Sequence, residues 1–269
     1  MNKLCFAPFV FGNYTHFIPL YIYTILKSYP EYYVKVFCRD TLKENEIKAL
    51  LLIQNELSSN FEVAENFYKE VSTEHPKLLR WLIKEDQFKN FENIYFGDVD
   101  FLIVKEENSI LESHLKHCID INLPYSNVIR KNSKRMSGLQ FIKRKEYYEK
   151  MTEIIDHFLK NPVELKEFEN LKKSPNEHFL YYLLEKNIGF GNLDKVRSFR
   201  PHHGFHIRYT CSWTMKPNLT LDQKKYLFSI KNQVENYFKD DLFNNILNVL
   251  KDKQIDCHIN VIKNFYSNK

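Results

Sequence analysis

The chain has 269 residues, of which 43% are hydrophobic and 27% charged, and its formal net charge is +5. This length and composition suit one large domain or two small ones with a sizeable core, and they argue against a disordered chain. The five cysteines are far apart and form no Cys-x-x-Cys pair, so neither a zinc ribbon nor a disulfide framework is indicated, and a reducing cytoplasm fits best.

The first forty residues alternate like the start of a parallel α/β sheet. Residues 4–10 are predicted as a strand, 17–28 as a helix and 33–38 as a second strand. In such sheets the ligand loops lie at the carboxyl ends of the strands. The loop after the first strand is therefore a candidate nucleotide site, with its residues Phe11, Gly12, Asn13 and Tyr14.

Helical patterns dominate most of the remaining chain. Helices are predicted over residues 43–57, 75–91, 145–158 and 176–186, and the tail over 221–250 is mostly helical with a last apolar segment at 259–262. Further strands are predicted on both sides of residues 98–100 and over 119–123 and 137–142. Proline and glycine interrupt the uncharged stretch 4–26, so neither a signal peptide nor a membrane span is predicted.

The triplet Asp98-Val99-Asp100 lies between two apolar runs that read as short strands. An Asp-x-Asp triplet usually caps a turn, but charges next to a core are costly without a partner. Residues two apart in extended backbone project to the same side, so both carboxylates can converge on one hard cation, or on a cation and a sugar hydroxyl. This geometry suits a metal-bound diphosphate.

Four segments together resemble the GT-A glycosyltransferases that use nucleotide sugars: residues 11–14, 98–100, 136–142 and 200–208. The resemblance implies a Rossmann-like, mainly parallel sheet flanked by helices, with a catalytic domain over 1–215 and a helical extension over 216–269. It implies sugar transfer from a nucleoside diphosphate sugar, UDP being favoured, to an acceptor hydroxyl. The expected setting is bacterial capsule or lipooligosaccharide synthesis, at the inner face of the cytoplasmic membrane.

The resemblance also implies a divalent cation, Mn²⁺ or Mg²⁺, bound to Asp98, Asp100 and one histidine from a late loop. Mn²⁺ accepts an imidazole alongside oxygen ligands. Of the three histidines near Gly204, we favour His203 or His206 over His202. The cation would neutralise charge on the departing diphosphate, with Asp98 sharing the metal or contacting the ribose.

Other residues are expected to complete this site. Arg208 is a candidate ligand of the diphosphate. Glu177 opens a helix and is the candidate general base, or a stabilising group in a retaining reaction, although a glutamate in a first helical turn is also favoured without catalysis. Ser137-Gly138 matches the acceptor-side pattern of the group, while Met136 replaces its usual asparagine.

Two other classes of function remain open from the sequence. A nucleotidyltransferase or metal-dependent phosphotransferase also uses paired aspartates, but it would require a glycine-rich phosphate loop or a third well-spaced acid. A noncatalytic protein on the same scaffold would bind a polyanion through the basic clusters at 130–135 and 143–145. The helical tail is compatible with a peripheral membrane contact or a homodimer, and nucleic acid is not an expected partner.

Overall fold

A computed structural model describes residues 2–171, 173–193, 204–207 and 221–267. They form a mixed α/β fold with a mainly parallel central sheet flanked by helices, as predicted. The strands are β1 (Asn2–Phe6), β2 (Phe9–Val10), β3 (Tyr33–Cys38), β4 (Phe61–Ala64), β5 (Phe91–Phe96), β6 (Phe101–Ile103), β7 (Tyr125–Ser126), β8 (Gln140–Lys143) and β9 (Gly204–His206). The helices are α1 (Ile18–Ser28), α2 (Glu44–Glu56), α3 (Ile110–Ile121), α4 (Arg144–Lys160), α5 (Lys166–Glu169), α6 (Pro175–Asn187), α7 (Leu221–Ser229), α8 (Lys231–Lys239), α9 (Asp241–Leu250) and α10 (Lys253–Ser267).

The central sheet has the spatial order β4-β3-β1-β5-β8-β7, and β2 continues β1 along the same side of β3. Strand β1 runs parallel to both β3 and β5, whereas β8 is antiparallel to β5 and β7. The strand predicted over residues 4–10 is therefore present and is interrupted at Ala7 and Pro8. The carboxyl ends of β2 and β5 point the same way, which brings the loops that follow them to one edge of the sheet.

Alternate side chains of β1 enter two different hydrophobic cores. Leu4 and Phe6 pack with α1, α2 and the C-terminal helices. Cys5, and Ala7 directly after the strand, pack with α4, α6 and the 3₁₀-helix Pro76–Leu82. A strand with apolar residues on both sides is typical of a sheet that is covered on both faces, and this explains the unbroken apolar run that begins the sequence.

The C-terminal helices cover the outer side of α1 and α2. Lys27 of α1 lies 2.8 Å from Asp240, and the Asn45 amide of α2 donates to the Leu250 carbonyl at 2.6 Å. Apart from Lys27, every residue of α1 is buried. The boundary at 215 and 216 between a catalytic domain and an extension stays a prediction. No helix in the described ranges combines the length and hydropathy that a membrane crossing requires.

The strand predicted over residues 119–123 is wrong, because most of that segment completes helix α3. Ser109 and Glu112 form a capping box that starts the helix. The helix ends at Asn122, which adopts the left-handed conformation with φ of 55°. The side chain of Ile119 is 76% exposed, so this β-branched residue lies on the solvent face of the helix and does not mark a strand.

The long helix predicted over residues 75–91 is also wrong. Two 3₁₀-helices, Pro76–Leu82 and Glu85–Phe88, are separated by Ile83 in extended conformation. Packing of this segment into the second core overrides its helical propensity. The predicted loop at 12–15 is a 3₁₀-helix, Gly12–Phe17, and the short strands β4, β7 and β9 were not predicted.

Candidate functional site

The two aspartates lie in the break between β5 and β6, as predicted. Strand β5 ends at Phe96, and Gly97 leads into the triplet. A Cβ atom on Gly97 would lie 2.6 Å from the Tyr21 hydroxyl of α1, so only glycine fits between the strand and this helix. The end of β5, which packs against α1, thus places the two carboxylates at the edge of the sheet.

Asp98 is paired with a buried arginine. Arg80, whose side chain is 6% exposed, lies 2.7 Å from Asp98 Oδ1, and it donates a second hydrogen bond to the Gly138 carbonyl at 2.7 Å. Burial acts to raise the pKa of Asp98, but Arg80, His206 and Lys77 outweigh it and bring the pKa below its usual value. Asp98 is therefore charged, and Arg80 joins the triplet to the segment that follows β7.

Asp100 is buried beside His206. Strands β6 and β9 form a two-stranded antiparallel ladder in which His206 faces Phe101, and the Ile207 amide donates to the Asp100 carbonyl at 2.9 Å. This ladder brings His206 Nε2 to 3.7 Å from Asp100 Oδ1. Burial raises the pKa of Asp100, His206 opposes this, and the charge of Asp98 adds to it, so the pKa is raised overall.

Asp98, Asp100 and His206 fit a divalent metal ion. Each offers one ligand atom, and these three atoms lie within 4.8 Å of one another. Two carboxylate oxygens and one imidazole nitrogen form a donor set that suits Mn²⁺ and also accommodates Mg²⁺. A cation would also compensate the negative charge that the apolar surroundings make costly at Asp100. The other histidine candidates, His202 and His203, lie outside the described residues.

A cavity of about 420 Å³ opens beside the three metal-ligand candidates. Phe11 and Tyr14 of the predicted nucleotide loop line it, together with Lys77. The Lys77 ammonium lies 6.0 Å from the centre of the Tyr14 ring. The cavity therefore combines aromatic surface, positive charge and the acidic cluster, which are the features that a nucleoside diphosphate with its metal requires.

The other two residues of the predicted nucleotide loop do not line the cavity. Gly12 has φ of 58°, and its amide donates to Asp40 Oδ2 at 2.5 Å. Asn13 is exposed. Gly12 therefore shapes the loop through its backbone, the nucleotide contacts of Gly12 and Asn13 stay predictions, and Arg208 lies outside the described residues.

Two buried polar contacts directly after the predicted nucleotide loop support it. The Thr15 hydroxyl donates to Glu46 of α2 at 2.8 Å, and His16 Nδ1 lies 3.1 Å from Asp252, which precedes α10. Burial lowers the pKa of His16 despite the nearby carboxylates of Asp252 and Glu46. The C-terminal helices therefore support the loop that carries Phe11 and Tyr14, a contact that no sequence motif indicated.

Glu177 lies at the start of α6, outside the lining of this cavity. Arg130 and Arg135 lie 2.9 and 3.2 Å from its two carboxylate oxygens, and its side chain is 12% exposed. The Asn176 side chain comes within 3.7 Å of the position that a Cβ on Gly138 would occupy. Glu177 is thus held next to the predicted acceptor segment, and its catalytic role stays a prediction.

Lys77 and Arg80 were not identified as site residues from the sequence. Arg80 lies in the run Leu78-Leu79-Arg80-Trp81-Leu82, whose apolar residues are all buried. A single cation that is buried in such a run loses its hydration, so it requires a carboxylate partner as compensation. That signal predicts a buried ion pair, but the distance of eighteen residues to Asp98 conceals the partner until the fold is known.

Comparison with known proteins places bacterial glycosyltransferases among the structures similar to this chain. Glycosyltransferase GlyE of Streptococcus pneumoniae TIGR4 matches 69% of the chain at 14% identity with a TM-score of 0.49, over 44% of its own length. Galactosyltransferase LgtC, solved with donor and acceptor sugar analogs, matches 69% at 9% identity with a TM-score of 0.45, over 71% of its length. The bifunctional glycosyltransferase WbbM matches 69% at 10% identity with a TM-score of 0.41, over 37% of its length.

The chain therefore spans less than half of the GlyE and WbbM structures that it matches. No protein-family model matches the sequence, and no curated protein does. At these identities and TM-scores, the likeness concerns the general fold, and the chemistry follows from the residues of the site.

Proposed function

We propose that this protein is a metal-dependent glycosyltransferase that moves a sugar from a nucleoside diphosphate sugar to an acceptor hydroxyl. The observation that carries the proposal is the convergence of Asp98, Asp100 and His206 at the mouth of a cavity lined by aromatic and basic residues. His206 comes from a segment about a hundred residues after the triplet, so chance local clustering does not explain its position.

Asp98, Asp100 and His206 would hold the cation, Mn²⁺ or Mg²⁺. When bound, it would supply Lewis-acid stabilisation of the charge on the leaving diphosphate. Arg80 fixes the orientation of Asp98 through its hydrogen bond, so this carboxylate is preorganised before a ligand arrives. Such preorganisation is effective because the groups need not reorganise during the reaction.

The residues around the cavity would bind the rest of the donor. Phe11 and Tyr14 offer aromatic faces on which a base can stack. Lys77 and Arg80 supply positive charge toward the phosphates, in the part of the cavity next to the aspartates. We favour a uridine diphosphate donor from the resemblance of the loop, with Arg208 as a further candidate contact of the diphosphate.

On the acceptor side, Glu177 is our candidate general base. Its carboxylate would take the proton of the acceptor hydroxyl as the oxygen bonds to the sugar carbon and the bond to the diphosphate breaks. Arg130 and Arg135 hold the carboxylate in one orientation. As acceptors we propose saccharides or lipid-linked saccharides of capsule or lipooligosaccharide synthesis at the cytoplasmic membrane face.

The experiment that tests the function combines nucleotide binding with donor breakdown. UDP, GDP, CDP and CMP are compared by thermal shift with and without Mn²⁺. Sugar derivatives of the nucleotide that binds, UDP-sugars in the expected case, are then assayed for hydrolysis. We expect stabilisation by one diphosphate that requires metal, because a ligand that binds only the native state raises its unfolding temperature. No shift and no hydrolysis with any of them would favour a noncatalytic polyanion-binding protein.

The nucleotidyltransferase alternative is less well supported. Within the described part of the chain, the third group beside the two aspartates is the imidazole of His206 and not the additional acid that such an enzyme would use. Release of free sugar and UDP from a UDP-sugar, without formation of a nucleotidyl product, would separate the two reactions.

A further inference from the structure

A basic hairpin, residues 129–136, projects beside the candidate acceptor segment. Its ends are joined by an antiparallel bridge between Ile129 and Met136, and the Arg130 amide donates to the Arg135 carbonyl at 2.8 Å. Asn132 adopts the left-handed conformation that closes the turn, with φ of 54°. Backbone hydrogen bonds thus fix the shape of the hairpin.

The hairpin is tied to the candidate active site at two points. The Met136 amide donates to the Glu177 carbonyl at 3.1 Å, next to the candidate base. Two residues further along, the Gly138 carbonyl accepts from Arg80, which also binds Asp98. The C-terminal end of the hairpin therefore contacts Glu177, and the residue two positions beyond that end is joined to Asp98 through Arg80.

The charges of the basic hairpin are only partly compensated. Arg130 and Arg135 share the carboxylate of Glu177. Lys131 and Lys134 are exposed, and neither has an ion-pair partner among the described residues. Among the described residues, the four cations of the hairpin therefore have one carboxylate, that of Glu177, as an ion-pair partner.

The second basic cluster of the sequence, residues 143–145, differs from the basic hairpin in its position. Lys143 lies 2.5 Å from Glu146, and Arg144 lies 2.5 Å from Glu85. This cluster follows the end of β8 that is opposite to Gln140, which pairs with Phe96 next to the aspartates. Lys143 and Arg144 at the remote end of the same strand are thus paired, the exposed Lys145 has no ion pair among the described residues, and the whole cluster lies away from Glu177 and the aspartates.

We infer that the acceptor carries an oxyanion, a carboxylate or a phosphate, which Lys131 and Lys134 bind while the acceptor hydroxyl faces Glu177. The inference rests on the function proposed above and specifies the substrate class of that site. Lysine is suited to this task, because its ammonium is a compact charge that can donate hydrogen bonds to an anion from several directions. The rigid hairpin lowers the entropy cost of presenting both ammonium groups together.

The test measures binding of fluorescein-labelled tetragalacturonate, with its methyl ester as the uncharged probe, by fluorescence anisotropy. The double variant Lys131→Gln and Lys134→Gln is compared with wild type. The matched control replaces two exposed lysines of α4, Lys145→Gln and Lys150→Gln. Inorganic phosphate as competitor distinguishes a phosphate preference from a carboxylate preference.

We expect the Kd of the charged probe to rise about fivefold in the hairpin variant, as two exposed ion pairs are lost, and to change less than about twofold in the control. The ester should bind more weakly than the charged probe, and UDP with Mn²⁺ should leave the probe bound. Strong competition by phosphate would assign the acceptor oxyanion to a phosphate, and weak competition to a carboxylate.

Three results would overturn the inference: equal binding of the ester, wild-type affinity in the hairpin variant, or displacement of the probe by UDP with Mn²⁺. Metal-dependent hydrolysis of a UDP-sugar is measured in the same wild-type preparation. If hydrolysis is present while the probe results fail, only the anionic acceptor is rejected. If nucleotide binding and hydrolysis are both absent, the proposed function falls and the acceptor inference falls with it.

Discussion

The donor side and the acceptor side of the candidate site carry opposite charges in opposite surroundings. On the donor side, Asp98 and Asp100 lie against the core with Arg80 and His206 fixed around them. On the acceptor side, Arg130 and Arg135 of the basic hairpin bind the carboxylate of Glu177, and Lys131 and Lys134 of the same hairpin are exposed. Under the proposed function, this difference means that preorganised buried charges would serve the reaction and exposed charges would serve the choice of acceptor. Substitutions of the buried charged groups should accordingly affect turnover, and substitutions of the exposed lysines should affect acceptor binding.

Asp100→Asn should have the largest effect, because it removes a charged metal-ligand candidate without changing the shape of the side chain. We expect kcat to fall by about a thousandfold, at the upper end of what loss of one electrostatic stabiliser costs. Because burial raises the pKa of Asp100, the neutral amide should leave the unfolding temperature unchanged or higher. Sugar transfer and thermal unfolding are measured together, with the exposed Asp120→Asn as control. Full activity in Asp100→Asn would contradict the proposed metal site.

Glu177→Gln should follow, since it removes the candidate base and keeps a hydrogen-bonding group between Arg130 and Arg135. Loss of general base catalysis predicts a drop in transfer kcat of about a hundredfold. The Kd of UDP with Mn²⁺ should keep its wild-type value, because Glu177 does not line the nucleotide cavity. The exposed Glu146→Gln is the matched control. Unchanged transfer would show that Glu177 has only a structural role.

Gly204→Ala tests how His206 reaches the aspartates. A Cβ at this position would collide with the Leu102 carbonyl of β6, so β9 must shift away from its partner strand. We expect Mn²⁺ affinity to fall about tenfold as His206 is displaced. Gly138→Ala is the control, because its added Cβ would meet the nearest atom at an ordinary 3.7 Å. Calorimetric titration of Mn²⁺ into both variants measures the difference, and equal affinities would refute the ladder as the positioning element.

Tyr14→Leu should have the smallest effect of the four. It keeps an apolar side chain in the nucleotide loop but removes the aromatic face, and base stacking is worth about 1–3 kcal/mol. The Kd of UDP with Mn²⁺ should therefore rise about fivefold, at the lower end of that range because leucine keeps an apolar contact, while kcat at saturating donor changes little. The control is Phe228→Leu, an aromatic residue of α7 that is 37% exposed. A UDP affinity equal to that of wild type would place the base elsewhere.

Much of the fold is predictable because the residue pattern within each of these segments determines its helix or strand. The strand predicted over 33–38 is β3, and the helix predicted over 17–28 agrees closely with α1. Elements held by distant contacts escaped prediction. The three residues of β9 have no pattern of their own and become a strand only by pairing with β6. The 3₁₀-helices at 76–82 and 85–88 likewise depend on packing into the second core.

The candidate site was predictable to the same degree. Asp98 and Asp100 share one short segment, so extended geometry alone predicts that they can act together. The choice of His206 depends on the register of β6 with β9, which no local spacing reveals. Arg80 and Lys77 reach the site from a 3₁₀-helix, whereas the sequence predicted this segment as part of a longer helix over residues 75–91. Tertiary position, and not residue type, selected these partners.

The most direct measurement is calorimetric titration of UDP, with and without Mn²⁺, into the wild-type protein and His206→Ala. If Asp98, Asp100 and His206 hold the cation against a diphosphate, wild type will bind UDP far more tightly with Mn²⁺ than without it. His206→Ala will lose most of that metal-dependent gain while it keeps the metal-free affinity. Equal UDP affinities in all four titrations, or a full metal-dependent gain without His206, would contradict the proposed metal-diphosphate site.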